Sequence, residues 1–368
     1  MYFATNLTKT NHLSLSKEET NAILIASVVK PLDDHRMYEK WGYFFKYVGF
    51  INIHIFGGSM EFENKNRVYL HASLDKNTGI KRIFAQIKFL RLLIKIKPKI
   101  VVLETFELLI VAFFYKKIGG SNTKFYYDIQ ENYDLNLQSQ KNNARWKIVL
   151  ISKWIKLSEN ISKKYIEHYF ISELVYQNQL KFISNKNTTL IENLYAYPDE
   201  VVVDKIRATY LITGTLSKAY GLDLACKWIR IIKKIHPNAK IKILGHSTDN
   251  YKFPKDIKQL AEIEVYKTPI SHQRLIEELA SSEFLLLPYS WSSSFIGCTP
   301  VKLYEALYLE TKVICSYENG LTQSICHPLL EFRTEEFKQA PLHFSKAKEI
   351  ERFEKKYYPI LKEKMGIV

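Results

Sequence analysis

The sequence has few cysteines and no apolar run long enough to cross a bilayer. Cys226, Cys298, Cys315 and Cys326 are the only cysteines among 368 residues, and none forms a C-x-x-C pair. This usage is typical of buried thiols in a reduced compartment rather than of disulfides or a zinc site. The longest apolar run, Leu108–Tyr115, is far shorter than a membrane-spanning helix.

The N-terminus lacks the features of a targeting segment. Residues 1–20 have no basic start followed by an apolar core, so no signal peptide is predicted. Their polar composition predicts a loose extension. We therefore expect a cytoplasmic protein.

Acidic residues are too few to balance the basic ones. The chain has 53 Lys and Arg against 38 Asp and Glu, a formal net charge of +15. Such a charge favours anionic partners, which are nucleotide phosphates, anionic lipid or nucleic acid. No nucleic-acid recognition module accompanies the charge, so we expect no nucleic-acid partner.

Strands and helices alternate in two successive series, the first from Ala22–Val29 and the second from Ala208–Thr213. Neither contains a G-x-G-x-x-G motif, so a dinucleotide site is not predicted. A polar run with Pro198 separates them. At 46% hydrophobic content the chain can build two large cores. The pattern predicts an α/β protein with two doubly wound, Rossmann-like domains facing a cleft.

The stretch 284–316 predicts a strand, a loop, a helix and another strand. Phe284–Leu287 and Val313–Cys315 are apolar runs typical of strands buried on both faces. Between them, Thr299 is a good N-cap and Pro300 suits the first helical position. Free N–H groups and the helix dipole make such a helix start, at a strand's carboxyl end, an anion site.

Lys302 and Glu305 share one face of this helix because they lie three residues apart. Lys302 can pair with a phosphate, and Glu305 can accept hydrogen bonds from hydroxyl groups. The alternative interpretation is a solvated ion pair on a surface helix. The flanking strands favour the ligand site.

The segment TPVKLYEALYLETKVI, residues 299–314, resembles the nucleotide-sugar-binding motif of family 4 (group 1) glycosyltransferases of the GT-B fold. The resemblance implies that Glu305 binds the ribose of the donor. It also implies that the loop and helix start face the donor diphosphate, through Gly297, Cys298, Thr299 and Leu303. Many members carry a further Glu eight residues before Glu305. That position is Gly297 here, a departure that bears on the transferred sugar.

The segment DIQENY, residues 128–133, resembles the D-x-H-E-x-Y motif of the same family. The family His faces the acceptor or the transferred sugar, and its place is taken by Gln130, which cannot act as a general base. Retaining transfer in this family is thought to need no strong base. For Glu131 the alternative is an acid at a helix start. The candidate catalytic residues are Glu305, Lys302, Gln130 and Glu131.

A third segment, 214–221, resembles the family pattern Gly-x-Leu-Ser-x-x-Lys-Gly. Thr215 and Tyr220 stand where the family has basic residues, and Lys218 can supply a charge to the diphosphate instead. The alternative is a strand-to-helix turn bounded by glycines. The candidate donor-binding residues here are Gly214, Thr215, Lys218 and Gly221.

The loop after the first strand carries the candidate acceptor-side residues Asp34, His35 and Arg36, because it resembles the first loop of family 4 enzymes. The alternative is an exposed helix start with acidic N-cap residues. Two basic helices, Ile80–Ile96 and Asn142–Ile166, carry apolar residues among lysines, a pattern that favours an anionic membrane surface. Packing on their own sheet accounts for part of the apolar pattern.

The resemblance implies a glycosyltransferase that moves a sugar, with retention, from a nucleotide sugar to a glycan or lipid-linked acceptor. We expect it at the inner face of a membrane, with no cofactor and no metal, since the sequence has no D-x-D motif. The alternative is a catalytically weakened GT-B protein that binds a nucleotide sugar or assists a partner at the membrane. The predicted division is an extension (1–20), an acceptor-side domain (21–195), a nucleotide-sugar-binding domain (196–345) and a final helix crossing back to the first domain (346–368).

Overall fold

The computed structural model describes most of the chain between residues 21 and 367. The described residues are 21–58, 64, 68–73, 80–120, 122–139, 145–196, 201, 203–218, 220–247, 251–289, 299–315 and 352–367. The predictions for Gly297 and Cys298, and a predicted helix near 319–326, lie outside these ranges.

The first domain is built on a seven-stranded parallel sheet with the strand order β3-β2-β1-β4-β5-β6-β7. Its strands are β1 (Ile23–Pro31), β2 (Ile53–Gly58), β3 (Tyr69–Ala72), β4 (Ile100–Leu103), β5 (Lys124–Ile129), β6 (Ile166–Ile171) and β7 (Thr188–Leu190). Successive side chains of β1 enter different cores, Ile23 and Ile25 on one face and Leu24 and Ala26 on the other. The sheet is therefore covered on both faces, as its continuous apolar runs predict.

Helices connect these strands. They are a π-helix (His35–Gly42), α1 (Tyr43–Tyr47), α2 (Ile80–Ile96), α3 (Glu107–Lys117), α4 (Tyr133–Ser139), α5 (Arg145–Ser162) and α6 (Tyr176–Gln179).

The second domain repeats this plan with five parallel strands in the order β10-β9-β8-β11-β12. The strands are β8 (Ile206–Thr215), β9 (Lys240–His246), β10 (Glu262–Tyr266), β11 (Ser282–Leu287) and β12 (Lys312–Cys315). The helices are α7 (Leu222–Ile235), α8 (Lys255–Leu260), α9 (His272–Ser281) and α10 (Val301–Tyr308). The α/β class with two doubly wound domains is thereby confirmed.

A last helix, α11 (Phe353–Met365), packs on the first domain. Its buried residues Phe353, Tyr357 and Leu361 belong to the same core as Ile23 and Phe44. The Tyr126 hydroxyl also donates to the Met365 carbonyl oxygen over 3.3 Å.

Several predicted elements differ in detail. The helix expected after β1 begins as a π-helix, and Gly49, with φ of 88°, follows the end of α1. The helix expected over 142–166 is described from 145 to 162, because Ile166 already pairs with β5 as the first residue of β6. The segment 173–182, whose residue pattern predicts a helix between two strands, forms only the single turn α6. The half-exposed edge strand β3 and the short helices α4 and α8 carried too weak a pattern to be predicted.

Candidate functional site

A cleft of about 480 Å³ lies between the two domains, where the carboxyl ends of β1, β5, β8 and β11 meet. In each sheet the strand order reverses beside β1 or β8, and open α/β sheets bind ligands at such switch points. Residues lining the cleft from the first domain include Lys30, Asp34, His35, Gln130, Glu131 and Glu173. Those from the second include Thr215, His272, Thr299, Lys302 and Glu305.

The start of α10 faces this cleft, as predicted from the sequence. The helix begins at Val301 with Pro300 at the N-cap position, one residue later than expected, and no side chain caps it. The Thr299 N–H instead donates to Oε1 of Glu173 over 2.9 Å. A carboxyl group of the first domain therefore lies at the position predicted for an anion. Burial raises the pKa of Glu173 to about 8, with a further contribution from Glu192, so this carboxyl is mostly protonated at neutral pH.

Lys302 reaches the end of β8 at Gly214. A Cβ on Gly214 would lie 2.5 Å from the Lys302 Nζ, and the glycine has a φ of 111° that other residues rarely adopt. Glycine at this position therefore lets the ammonium group lie directly against the backbone. Burial lowers the pKa of Lys302, and the nearby Glu305 carboxylate opposes that shift. The structure thus brings two predicted donor-site segments, 214–221 and 299–305, to one point.

Glu305 is buried at the wall of the cleft, where His272 holds it. Oε1 of Glu305 lies 2.7 Å from Nε2 of His272, and Nδ1 of the same ring lies 2.7 Å from Oε1 of Glu39 in the first domain. Burial alone would lower the pKa of His272, but Glu39 and Glu305 raise it well above its usual 6.5. Sequence reasoning missed His272. Its available signal was an imidazole at the start of a helix that leads into β11.

Arg36 does not line the cleft. Its guanidinium is fully buried and binds Asp128 through two hydrogen bonds, Nε to Oδ2 over 2.7 Å and Nη2 to Oδ1 over 2.6 Å. Its Nη1 donates to Asn193 over 2.9 Å, and Trp41 Nε1 donates to the same Asp128 over 2.7 Å. Arg36 therefore joins the loop after β1 to the end of β5 from beneath the cleft.

The other two residues of this loop lie at the cleft. Asp34 accepts the backbone N–H groups of Arg36 and Met37 over 3.0 and 3.2 Å, which is the N-cap role considered as the alternative. Nε2 of His35 is buried and has no hydrogen-bond partner among the described residues. Burial, with nearby cations such as Lys40, holds the pKa of His35 well below 6.5. The His35 ring is thus neutral at physiological pH.

Gln130 contacts a lysine that sequence reasoning missed. Its Oε1 accepts a hydrogen bond from Nζ of Lys30, which also lies 3.3 Å from Glu104 Oε2 and 3.5 Å from Asp34 Oδ1. Glu131 is exposed and accepts from Asn136 over 3.1 Å. Lys30 was identifiable as the last charged residue of β1, at the strand end that opens on the cleft.

The remaining predicted donor residues divide between the cleft and its surroundings. Thr215 lines the cleft. Lys218 is exposed and is not among the lining residues, and Leu303 is fully buried in the core beneath α10. Gly221 adopts a φ of 80° immediately before α7, the strand-to-helix turn that was considered as its alternative role.

No group of three or more His, Cys, Asp or Glu side chains in the described ranges is arranged to hold a metal ion. The helices described also include none that is long and apolar enough to span a bilayer.

No protein-family model matches the sequence, and no curated protein matches it. Solved structures do resemble it. Sucrose-phosphate synthase from Thermosynechococcus elongatus gives a TM-score of 0.61 at 11% identity, over 94% of this chain and 98% of that one. The catalytic domain of starch synthase IV from Arabidopsis thaliana, bound to ADP and acarbose, gives 0.62 at 9% identity, over 94% and 99%. Anabaena Alr3699/HepE in complex with UDP gives 0.57 at 9% identity, over 94% and 98%.

At these identities the likeness identifies the architecture. Family 4 membership, which the motif at 299–314 implies, stays a prediction. The chain has the GT-B fold, with two Rossmann-like domains facing one cleft.

Proposed function

We propose that this protein is a glycosyltransferase that takes a sugar from a nucleotide-sugar donor. The observation that carries the proposal is the meeting of Lys302, the start of α10 and the buried Glu305 in one interdomain cleft. A cation and a helix N-terminus together suit a diphosphate, and a carboxylate four residues after the first helical residue, Val301, suits ribose hydroxyls. Starch synthase IV and HepE, solved with ADP and UDP respectively, support a nucleotide ligand for this fold.

The chemistry needs little more than positioning and charge stabilisation. As the sugar leaves, negative charge develops on the diphosphate, and Lys302 with the Thr299 N–H stabilises it. Gln130 cannot remove a proton, so the acceptor is not activated by a base at that position. We infer retention of configuration on this ground together with the family resemblance. The acceptor enters from the first domain, beside His35 and Lys30.

Calorimetry against a panel of nucleoside diphosphates tests the proposal and names the donor base. We expect one base to bind at micromolar affinity or tighter, and the matching nucleotide sugars to release nucleoside diphosphate when membrane extract supplies acceptors. Binding without release from any sugar would favour the alternative of a nucleotide-sugar-binding partner subunit. A panel in which no nucleotide binds would contradict both.

The ionisation of Glu173 should make donor affinity depend on pH. Below about pH 8 its carboxyl is protonated and neutral, and above that pH it adds a negative charge at the start of α10, next to the proposed diphosphate. Affinity for a nucleotide sugar should therefore fall several-fold as the pH rises through 8. In Glu173→Gln the fall centred near pH 8 should be absent, as calorimetry at several pH values will show. An unchanged fall in the variant would place the titrating group elsewhere.

We also propose that the first domain rests on an anionic membrane at the inner face, where a lipid-linked acceptor would lie. Helices α2 and α5 lie on the same face of the first sheet, with α3 packed against both. They expose large apolar side chains between lysines, including Phe84 at 58%, Trp146 at 63% and Leu150 at 58% exposure. Exposed aromatic and aliphatic groups flanked by cations are what an anionic bilayer surface binds.

Liposome flotation tests this surface. Each Lys or Arg near an anionic leaflet contributes about 1 kcal/mol, so changing Arg91, Lys95, Lys147 and Lys153 to Gln should abolish binding at low salt. Lys88 and Lys156 are left unchanged because both have structural partners. Lys88 donates to the Ser73 carbonyl oxygen, and Lys156 forms a salt bridge with Asp134. The matched control changes four exposed lysines of the second domain, Lys252, Lys255, Lys258 and Lys267. An equal loss of liposome binding in both variants would mean that binding depends only on net charge and not on this surface. Wild-type protein that does not float with anionic liposomes would contradict the membrane proposal.

A further inference from the structure

His272 joins a carboxylate of each domain into one chain of hydrogen bonds. Its two ring nitrogens lie 2.7 Å from Glu39 in the first domain and 2.7 Å from Glu305 in the second. The side chains of His272, Glu39 and Glu305 are 14%, 7% and 6% exposed. Ionised carboxylates only accept hydrogen bonds, so both ring nitrogens donate and the ring is an imidazolium. Charge-assisted bonds of this kind are the strong ones.

The two carboxylates that His272 joins have different positions relative to the cleft. Glu305 lines the cleft, whereas Glu39, on the π-helix, is not among its lining residues. The orientation of the Glu305 carboxylate is thus set partly by a residue of the opposite domain. That residue, Glu39, contacts His272 and does not line the cleft.

We propose that His272 and Glu39 are positioning residues that fix Glu305 for the donor ribose, so that the first domain contributes to donor binding without contacting the nucleotide. This inference rests on the proposed function. A carboxylate already held in its binding rotamer pays no ordering cost when the ribose arrives, which is how preorganisation raises affinity. Because the hydrogen bonds from Glu39 through His272 to Glu305 join the two domains, this gain in affinity requires the domain arrangement of the present structure.

The charges around the ring decide when it is an imidazolium. Groups facing it or its partners are Asp33, which accepts the His272 backbone N–H, His35, whose ring centroid lies 5.5 Å away, Glu39, Lys40, Lys302 and Glu305. The pKa of His272 is raised, so the bridge is present through neutral pH and is lost as the pH rises through that higher value.

The test compares a nucleoside diphosphate with its 2′,3′-dideoxy analogue by calorimetry, using the base selected by the panel. The ratio of the two affinities measures the contribution of the ribose hydroxyls. Partial unfolding and the ionisation of Glu173 change both affinities by the same factor, so they leave the ratio unchanged. In the wild type we expect the hydroxyls to contribute about tenfold or more. Glu305→Gln, His272→Ala and Glu39→Ala should each lose most of that ratio. Glu277→Ala, which removes an exposed carboxylate from the same helix α9, should keep it.

The outcomes separate this inference from the proposed function. If Glu305→Gln loses the ratio while Glu39→Ala and His272→Ala keep it, the proposed function stands and the positioning role is wrong. If the wild type binds no nucleotide, the proposed function fails and this inference fails with it. A pH series adds a second readout, since the wild-type ratio should fall at alkaline pH and the His272→Ala ratio should not change.

Discussion

Replacing Lys302 by alanine should weaken the binding of a nucleoside diphosphate by about tenfold to a hundredfold and leave binding of the nucleoside nearly unchanged. The ammonium group lies against Gly214 at the end of β8, on a half-buried side chain in the cleft wall. A hydrogen bond to a charged group contributes about 1.5–3 kcal/mol, and each 1.4 kcal/mol is a factor of about ten in affinity. Calorimetry with the two ligands measures both quantities on the same protein.

Lys218→Ala is the matched control for this experiment. Both lysines belong to segments that resemble donor-binding motifs, but Lys218 is exposed and is not among the lining residues of the cleft. Its removal should change affinity for the diphosphate by less than about threefold, the range of a weak surface charge effect. Equal losses from the two variants, or a loss of nucleoside binding in Lys302→Ala, would contradict the proposed place of the diphosphate.

Replacing Arg36 by methionine should lower the free energy of unfolding by about 3–5 kcal/mol, because it leaves the buried Asp128 carboxylate without its cation. Arg36 is fully buried, and Asp128 would retain only neutral donors, Trp41 Nε1 over 2.7 Å and Gln130 Nε2 over 3.5 Å, among the described residues. The Asn193 side chain would lose a donor as well. Denaturant unfolding followed by fluorescence measures the change through the shift of the midpoint.

An exposed pair of the same chemistry provides the comparison. Arg230 binds Asp256 over 2.5 Å, with both side chains more than two-fifths exposed, and Arg230→Gln should shift the unfolding midpoint far less than Arg36→Met. If Arg36→Met proved as mild as Arg230→Gln, the buried pair would not be a structural link between the loop after β1 and β5.

The fold was predictable because the central strands of the first sheet, β1, β4 and β5, are apolar runs with buried residues on both faces, and that pattern is local. Lys302 and Glu305 were predictable for a similar reason, since helical spacing alone puts them on one face. Which lysine reaches the cleft was not predictable. Lys218 and Lys302 have equivalent local patterns, and the left-handed backbone of Gly214 beside Lys302 appears only in the fold.

The residues that sequence reasoning misplaced or missed depend on contacts between distant parts of the chain. In the sequence alone, Arg36 is a polar residue in a loop. The strand order of the folded sheet places β5, and with it Asp128, beside Arg36. His272 acquires its role from Glu39, 233 positions away and in the other domain. Glu173 reaches Thr299 across the cleft in the same way. The strand order of the first domain determines the Arg36 contact, and the approach of the two domains determines the other two. No local pattern encodes either.

A crystal structure with the selected nucleoside diphosphate bound tests the central claim most directly. The expected result has diphosphate oxygens within hydrogen-bond distance of Lys302 Nζ and the Thr299 N–H, with the Glu173 carboxyl displaced from that N–H. The ribose hydroxyls should lie on Glu305, with His272 still between Glu305 and Glu39. A nucleotide bound outside the cleft, or bound with its phosphates away from Lys302 and the start of α10, would contradict the donor site proposed here.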